Sequence, residues 1–495
     1  MSGLMSCRMM ASPSAAPLSS SPPESSPSSA ARMPIPGSYG WPIIGPLSDR
    51  LNYAWFQGPE KFFKTRIEKF NSKVFRTNLP PTFPFFLKVN PNVVALLDVK
   101  SFSYLFDMDL VEKSDVLVGD FMPSVKFTGG KRVCAYLDTS EPKHTQVKNL
   151  ASSMLRQSSS IWVPSMESSL DTLWDSTESK LSTSSNGVSY YLPIAKFLFT
   201  FLSRTLLRAD PSSTPVVSKY GHLIISVWLA LQIVPTTAIN TFQPLPEILL
   251  HSFTYPFWLI SFGYQKLSDF VKNQAKEILS HAQSEFNLTE EETVHDLLFI
   301  LGFNAFGGFA LFFFSLINAL GDNQNLHEKL RKEARQTLAK NNNTLSFESV
   351  KQMELINSFV YETLRLNPPV PLQYARARKD FDLETEGRVF TIKKGELLCG
   401  YQPLVMKDSA VFENPEEFVY DRFTREKGGE ELLMYLYWSN GPQRGGDGPS
   451  AANKQCPARD VVPMTAALFL ADLFRRFDNI TISSGSRITS LQKAK

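Results

Sequence analysis

The residue best placed to do chemistry is Cys456, in the stretch "SNGPQRGGDGPSAANKQCPARDV". It closes a loop rich in Gly, Pro, Ser and Asn, and the run after it, "VVPMTAALFLADLFRRF", has the apolar spacing of a helix. A thiol at a helix N-terminus faces unpaired N–H groups and the positive end of the dipole, which favour the thiolate. Such a thiol is a metal ligand, a nucleophile or a packed small residue. A second constellation lies in "SFVYETLRLNPPVP", where Glu362 and Arg365 share one helix face and Pro368 and Pro369 end the helix. The segment "EEFVYDRF" offers Arg422 as a further partner for Glu362. These three read as structural, because a pair of this kind fixes geometry rather than carrying a reaction.

A third candidate is polar by contrast with its surroundings. From Leu297 to Leu320 there is no charged residue, and Asn304 sits in the middle beside Gly302, Gly307 and Gly308. Thr289 and Glu292 have capping-box spacing at the start of this helix. The stretch is long enough to span a membrane. Asn304 and Asn318, the glycines and the charge-rich flanks instead favour a helix apolar all round that crosses a large core. The glycines would let a flat ligand approach the backbone, with Asn304 facing it.

Helical periodicity covers 60–70, 142–156, 163–180, 265–286, 290–320, 325–340, 347–366 and 459–477. Short strands are expected in "SKVFRTNLPP", "FFLKVNPNVVALLD" and "RVFTIKKGELLCG", with "KKGE" as a hairpin turn. The fold class is mainly α with a small β part. The first 33 residues are crowded with Ser, Pro and Ala, carry Arg8 and Arg32, and include one acid, Glu24. That composition matches a plastid transit peptide, disordered, ahead of one catalytic domain over 34–495. No apolar stretch of the secretory type precedes it. A net charge of +3 gives no reason to expect nucleic acid. The four cysteines Cys7, Cys134, Cys399 and Cys456 are too scattered for a disulfide framework, which points to a reducing compartment.

A Glu-x-x-Arg helix, an arginine segment and a glycine loop with one cysteine follow in the order found in the cytochrome P-450 heme-thiolate superfamily. The stretches "IPGSYGWPIIGPLSDRL", "FQGPEKFF", "VFRTNLPPTFPFF", "YLDTSEPKH", "LLFILGFNAFGGF", "GYQPLVMKD" and "YWSNGPQ…NKQC" carry the resemblance further. They are similar to the plant subfamily of allene oxide synthases, divinyl ether synthases and hydroperoxide lyases, which act on fatty-acid hydroperoxides. The resemblance implies a cytochrome P-450 fold with a long central helix over heme b and Cys456 as the axial iron ligand. It also implies that Lys113, His144, Lys148 and Lys454 contact the heme, through its propionates. Asn304 would hydrogen-bond the hydroperoxide, with Leu117, Phe303 and Ala310 against the substrate.

Ordinary monooxygenases of this superfamily have an acid followed by Thr in the central helix to deliver protons to iron-bound oxygen. Here "GFNAFGGF" supplies neither, as expected where the substrate brings its own O–O bond and no reductase or NADPH is used. The loop from Gly441 to Cys456 is longer than theirs, as in the hydroperoxide subfamily. Leu117 stands where allene oxide synthases carry Phe, and Ala310 where they carry Lys, so the resemblance implies a lyase preferring 13-hydroperoxides. The apolar region "WLALQIVPTTAINTFQPLPEILLHSFTYPFWLISF" would lie at the substrate entrance and contact a plastid membrane, and Thr489 and Ser490 would return toward the pocket. A heme sensor without turnover and a reductase-dependent monooxygenase are the readings of other kinds.

Overall fold

The computed structural model describes residues 31–494 apart from 85, 86, 88, 238–244, 484 and 485. The proposed transit segment lies outside these residues except for Ala31–Met33, a short strand paired in parallel with Arg388, Val389 and Phe390. Among the described residues, seventeen α-helices outweigh eleven strands gathered in three small sheets, so the chain is mainly α with a small β part.

The central helix explains the architecture. Thr289 caps it, accepting from the Glu292 N–H at 3.3 Å while its hydroxyl donates to Glu292 Oε2 at 2.9 Å. Three acids, Glu290 to Glu292, then oppose the positive end of the dipole. The helix runs as α over Glu290–Phe299, as π over Ile300–Gly307 and as α again over Gly308–Asp322. It packs against Tyr191–Leu206, Pro215–Ile233 and Glu354–Leu366. With 67% of its most apolar window buried in the protein, it is a core helix.

The helix Val461–Arg476 lies beside it, with most of its residues buried. Its one buried acid, Asp472, is satisfied by Arg475 at 2.5 Å, Arg476 at 2.8 Å and the Trp174 indole at 3.2 Å. Two expected helices are broken. Ala275 (φ −92°, ψ 32°) separates Ser261–Gln274 from Lys276–Phe286, and Met353 separates Phe347–Lys351 from Glu354–Leu366.

The five-stranded sheet runs Val74–Asn78, Asn92–Leu96, Leu397–Tyr401, Leu372–Ala377, Val111–Glu112 in spatial order. The segment "KKGE" is not a hairpin turn. The strand before it, Arg388–Ile392, pairs with Phe381–Thr385, whereas the strand after it pairs with Leu372–Ala377 and Asn92–Leu96. It is a corner between two sheets, with Gly395 at φ 86° and its N–H bound to Ala377 O at 2.8 Å. The two-residue hairpin lies just upstream, at Glu386 and Gly387, whose φ values of 48° and 70° suit the right-handed twist of the strands.

Candidate functional site

Cys456 lies five residues before the helix Val461–Arg476, in a turn, and not at its N-terminus. The N–H that faces its thiol is that of Ala458 from the same turn, and its own N–H donates to Ser439 O at 2.9 Å. Burial raises the thiol pKa, while that N–H and the Lys148 charge oppose the rise. The long loop before it is stapled to itself. Gln455 Nε2 donates to Pro442 O at 2.6 Å and Ser439 Oγ at 3.2 Å, and Asn440 Nδ2 donates to Lys454 O at 2.9 Å.

Four basic residues converge on this loop. Lys113 Nζ donates to Asn440 Oδ1 at 2.5 Å, and Lys454 Nζ to Leu137 O at 2.7 Å and Cys134 O at 3.1 Å. Lys148 Nζ donates to Asn453 O at 3.3 Å and to Gln455 O. His144, on the helix Pro142–Gln157 one turn before Lys148, is buried with Nδ1 unpartnered. Among the described residues none of the four has a carboxylate within ion-pair distance. Burial and the Lys454 charge bring Lys113 down to about 7. Burial and Lys454 bring Lys148 to about 8, against the pull of the Cys456 sulfur. Burial, then Lys454 and Lys148, hold His144 near 4. Ammonium groups buried beside one another without counter-charge are unfavourable unless an anion joins them. The arrangement would suit a group that carries both carboxylates and a metal with affinity for sulfur, and the propionates and iron of a heme would meet both demands.

On the central helix, Asn304 is exposed between the partly buried Phe303 and Ala305. Gly308 would meet nothing within 4 Å if it carried a Cβ, and Leu311 is 52% exposed. These three residues, spaced four and three apart, present one face to open space. Leu311 and Ser315 then line a cavity of about 440 Å³ with Leu366, Pro368, Pro369 and Tyr401. The other glycines serve packing. A Cβ on Gly302 would stand 2.6 Å from Ile225 Cδ1, and one on Gly307 2.9 Å from Leu229 Cδ2, so a neighbouring helix, and not a flat ligand, occupies their side.

Phe303 is partly buried and stacks on Phe299 at 4.7 Å. Leu117 is half-buried in a tight turn, bridged to Gly119 at φ 58°. Ala310 packs against the main core, off the face shared by Asn304 and Leu311. Thr489 and Ser490 are exposed on the strand Arg487–Lys493, with the Thr489 hydroxyl bound to Thr481 O at 3.2 Å.

Glu362, Arg365 and Arg422 form the expected clasp. Arg365 donates to both Glu362 oxygens at 2.8 Å and to the carbonyls of Met406, Pro415 and Glu417 at 2.9, 2.7 and 3.0 Å. Arg422 Nε donates to the same carboxylate at 3.1 and 3.2 Å, and the Val419 N–H donates to Glu362 Oε1 at 2.9 Å. The clasp ties the segment leading into the cysteine loop to the helix Glu354–Leu366. Sequence reasoning missed Asn440, the partner of Lys113, although it stands in the quoted "SNGPQ". It also missed Gly308 and Leu311, for which counting along the helix from Asn304 was the available signal.

The cytochrome P450 family pattern matches residues 251–493. The chain is 60% identical to the chloroplastic fatty acid hydroperoxide lyase of Solanum lycopersicum over 93% of its length and 96% of that protein. It is 54% identical to the chloroplastic linolenate hydroperoxide lyase of Arabidopsis thaliana over 98% and 97%. With the chloroplastic allene oxide synthase of Linum usitatissimum the identity is 40%, over 94% and 85%. The solved structure of retinoic acid bound cyanobacterial CYP120A1 shares the fold, with a TM-score of 0.64 at 19% identity, covering 91% of this chain and 94% of that one. The chain therefore belongs to the cytochrome P450 family, in the branch that holds the fatty acid hydroperoxide lyases and the allene oxide synthases.

Proposed function

We propose that this chain is a heme-dependent lyase of the chloroplast. It cleaves 13-hydroperoxides of linoleic and linolenic acid, through a hemiacetal, into a six-carbon aldehyde and a twelve-carbon ω-oxo acid, without O2 or NADPH. The observation that carries the reading is the identity of 60% with a lyase against 40% with the synthases, each over nearly the whole chain.

Heme b, when bound, supplies a ferric iron able to split the O–O bond homolytically, with the thiolate pushing electron density toward it. Cys456 would ligate its iron, and Lys113, His144, Lys148 and Lys454 would hold its carboxylates. Asn304 donates its amide to the hydroperoxide and orients it. Phe303, Ala310 and the aliphatic Leu117 form an apolar wall, and Leu117 presents no aromatic face that would favour oxidation of a carbon radical. The absence of an acid and hydroxyl pair around Asn304 suits a substrate that needs no delivered proton.

The same chain meets a plastid membrane at its entrance. Trp41, Ile44, Phe56, Leu249, Trp258 and Phe262 are all more than half exposed. The segments carrying Ile44 and Leu249 adjoin through Arg50 and Glu247, 2.8 Å apart. Apolar surface of this extent on a protein with a lipid substrate is suited to the headgroup boundary.

Product analysis by mass spectrometry tests the chemistry, with purified protein, the 13-hydroperoxide of linolenic acid and no NADPH. The six-carbon aldehyde is expected, and Leu117→Phe is expected to shift product toward an α-ketol. An α-ketol or a divinyl ether from the unaltered chain would make it a synthase, and no turnover without NADPH would make it a monooxygenase.

A further inference from the structure

The short helix Leu245–His251 is built the wrong way round for a soluble protein. Leu245, Ile248 and Leu249 face outward, while its buried residues are Glu247 and His251, both fully enclosed. It is thus held to the protein by charged and polar contacts in place of an apolar face. Arg50, from the helix Ile44–Leu51 and itself only 2% exposed, donates through Nε to Glu247 Oε2 at 2.8 Å. Its Nη1 reaches the carbonyls of Pro80 and Pro81 at 3.2 Å each. The His251 ring donates from Nδ1 to Val234 O at 2.7 Å, which leaves Nε2 as the bare nitrogen. That nitrogen lies 3.8 Å from Glu247 Oε1 and has no hydrogen-bond partner, as is also true of Arg50 Nη2. Among the described residues, the charged groups facing the imidazole are Glu247 and Arg50, with the Val234 and Pro235 carbonyls beside it.

We propose that Arg50, Glu247 and His251 form a protonation-sensitive latch: the neutral imidazole keeps the helix Leu245–His251 docked, and a proton taken from solvent onto His251 Nε2 releases it. One carboxylate then faces two cations in a site closed to water, and a buried excess charge is relieved by opening. Burial, reinforced by Arg50 and opposed by Glu247, holds the His251 pKa below its ordinary value. A base whose folded pKa is depressed contributes stability above its unfolded pKa and loses it as the pH falls. The docked helix is therefore stable above about pH 6.5 and loosens below it. Release would turn an apolar segment loose at the entrance, a consequence that rests on the membrane contact proposed above.

Hydrogen exchange of the full chain, without lipid, tests the latch. After correction for the intrinsic pH dependence of exchange, protection of 245–251 is expected to fall by up to roughly tenfold between about pH 6.5 and 5.5. The helix His327–Lys340 serves as internal reference and is expected to stay protected. His251→Gln, or His251→Asn if the first fails to fold, is expected to remove the pH dependence. A wild-type profile that is flat over this range overturns the latch, as does a variant that keeps the wild-type slope. Because no lipid is present, failure of the membrane reading leaves this measurement untouched.

Discussion

Asp296 shows what a single buried group does to this protein. It lies on the central helix, fully enclosed, with neither carboxylate oxygen hydrogen-bonded and Lys143 Nζ 4.0 Å away. Burial raises its pKa to about 7, against the Lys143 charge. An acid whose folded pKa is raised binds its proton more tightly in the folded state, so folding loses stability as the pH rises from about 4 to about 7. Asp296→Asn is expected to flatten that slope and to stabilise the protein above pH 7 by on the order of 2 kcal/mol. Denaturant unfolding at a series of pH values checks this, and an unchanged slope would place the titration elsewhere. The four basic residues beside Cys456 belong to the same scale. Lys113 and Lys454 are 341 positions apart in sequence, and no periodicity joins them. Their assembly was legible only through the resemblance to a known family.

At the scale of elements, the clasp of Glu362, Arg365 and Arg422 replaces a connection that secondary structure does not provide. The segment 406–422 holds few regular elements, and its carbonyls are gathered by the two guanidinium groups. Glu362→Gln leaves two buried cations without their carboxylate, and breaking a buried pair in this way costs about 3–5 kcal/mol. A correspondingly lower thermal midpoint is expected, together with a cysteine loop cut faster by protease. A variant as stable as the parent would show that the carbonyls alone hold the arginines. Long elements with strong periodicity, such as the central helix and Val461–Arg476, were readable from apolar spacing. The "KKGE" corner was not, because turn residues define a local bend while the partner of each flanking strand is chosen by distant packing. The helix Leu245–His251 escaped for the opposite reason: its apolar residues face out, so the pattern carries no sign of which side is buried.

For the whole molecule, apolar residues are divided unevenly between core and surface. The apolar helix Pro215–Thr236 is only 33% buried in its most apolar window, half the fraction of the central helix. With the exposed residues around Trp41 and Trp258, it leaves one end of the chain poorly matched to water. Sedimentation with vesicles of plastid lipid composition at about pH 7.5 is expected to carry the protein down, and replacement of Trp258 and Phe262 by Ser to leave it in solution. Sedimentation of the variant equal to that of the parent would exclude this end as the contact. Sequence composition alone announced a large core, but not that its apolar residues would be shared so unevenly between inside and outside.

The π-helical stretch Ile300–Gly307 governs how the central helix bears insertion and deletion. A turn that closes on the fifth residue stores chain length without the usual winding, so it behaves as an insertion absorbed within the helix. Loss of one residue would let the stretch close with ordinary α-helical winding and leave the phase of Gly308–Asp322 nearly unchanged, keeping Gly321 against Ile482, whose Cβ is 3.0 Å from where a Gly321 Cβ would stand. The stretch is thus the place in the central helix where a one-residue deletion is felt least by the elements beyond it, whereas the same deletion within Gly308–Asp322 would rotate the residues that follow by about 100°.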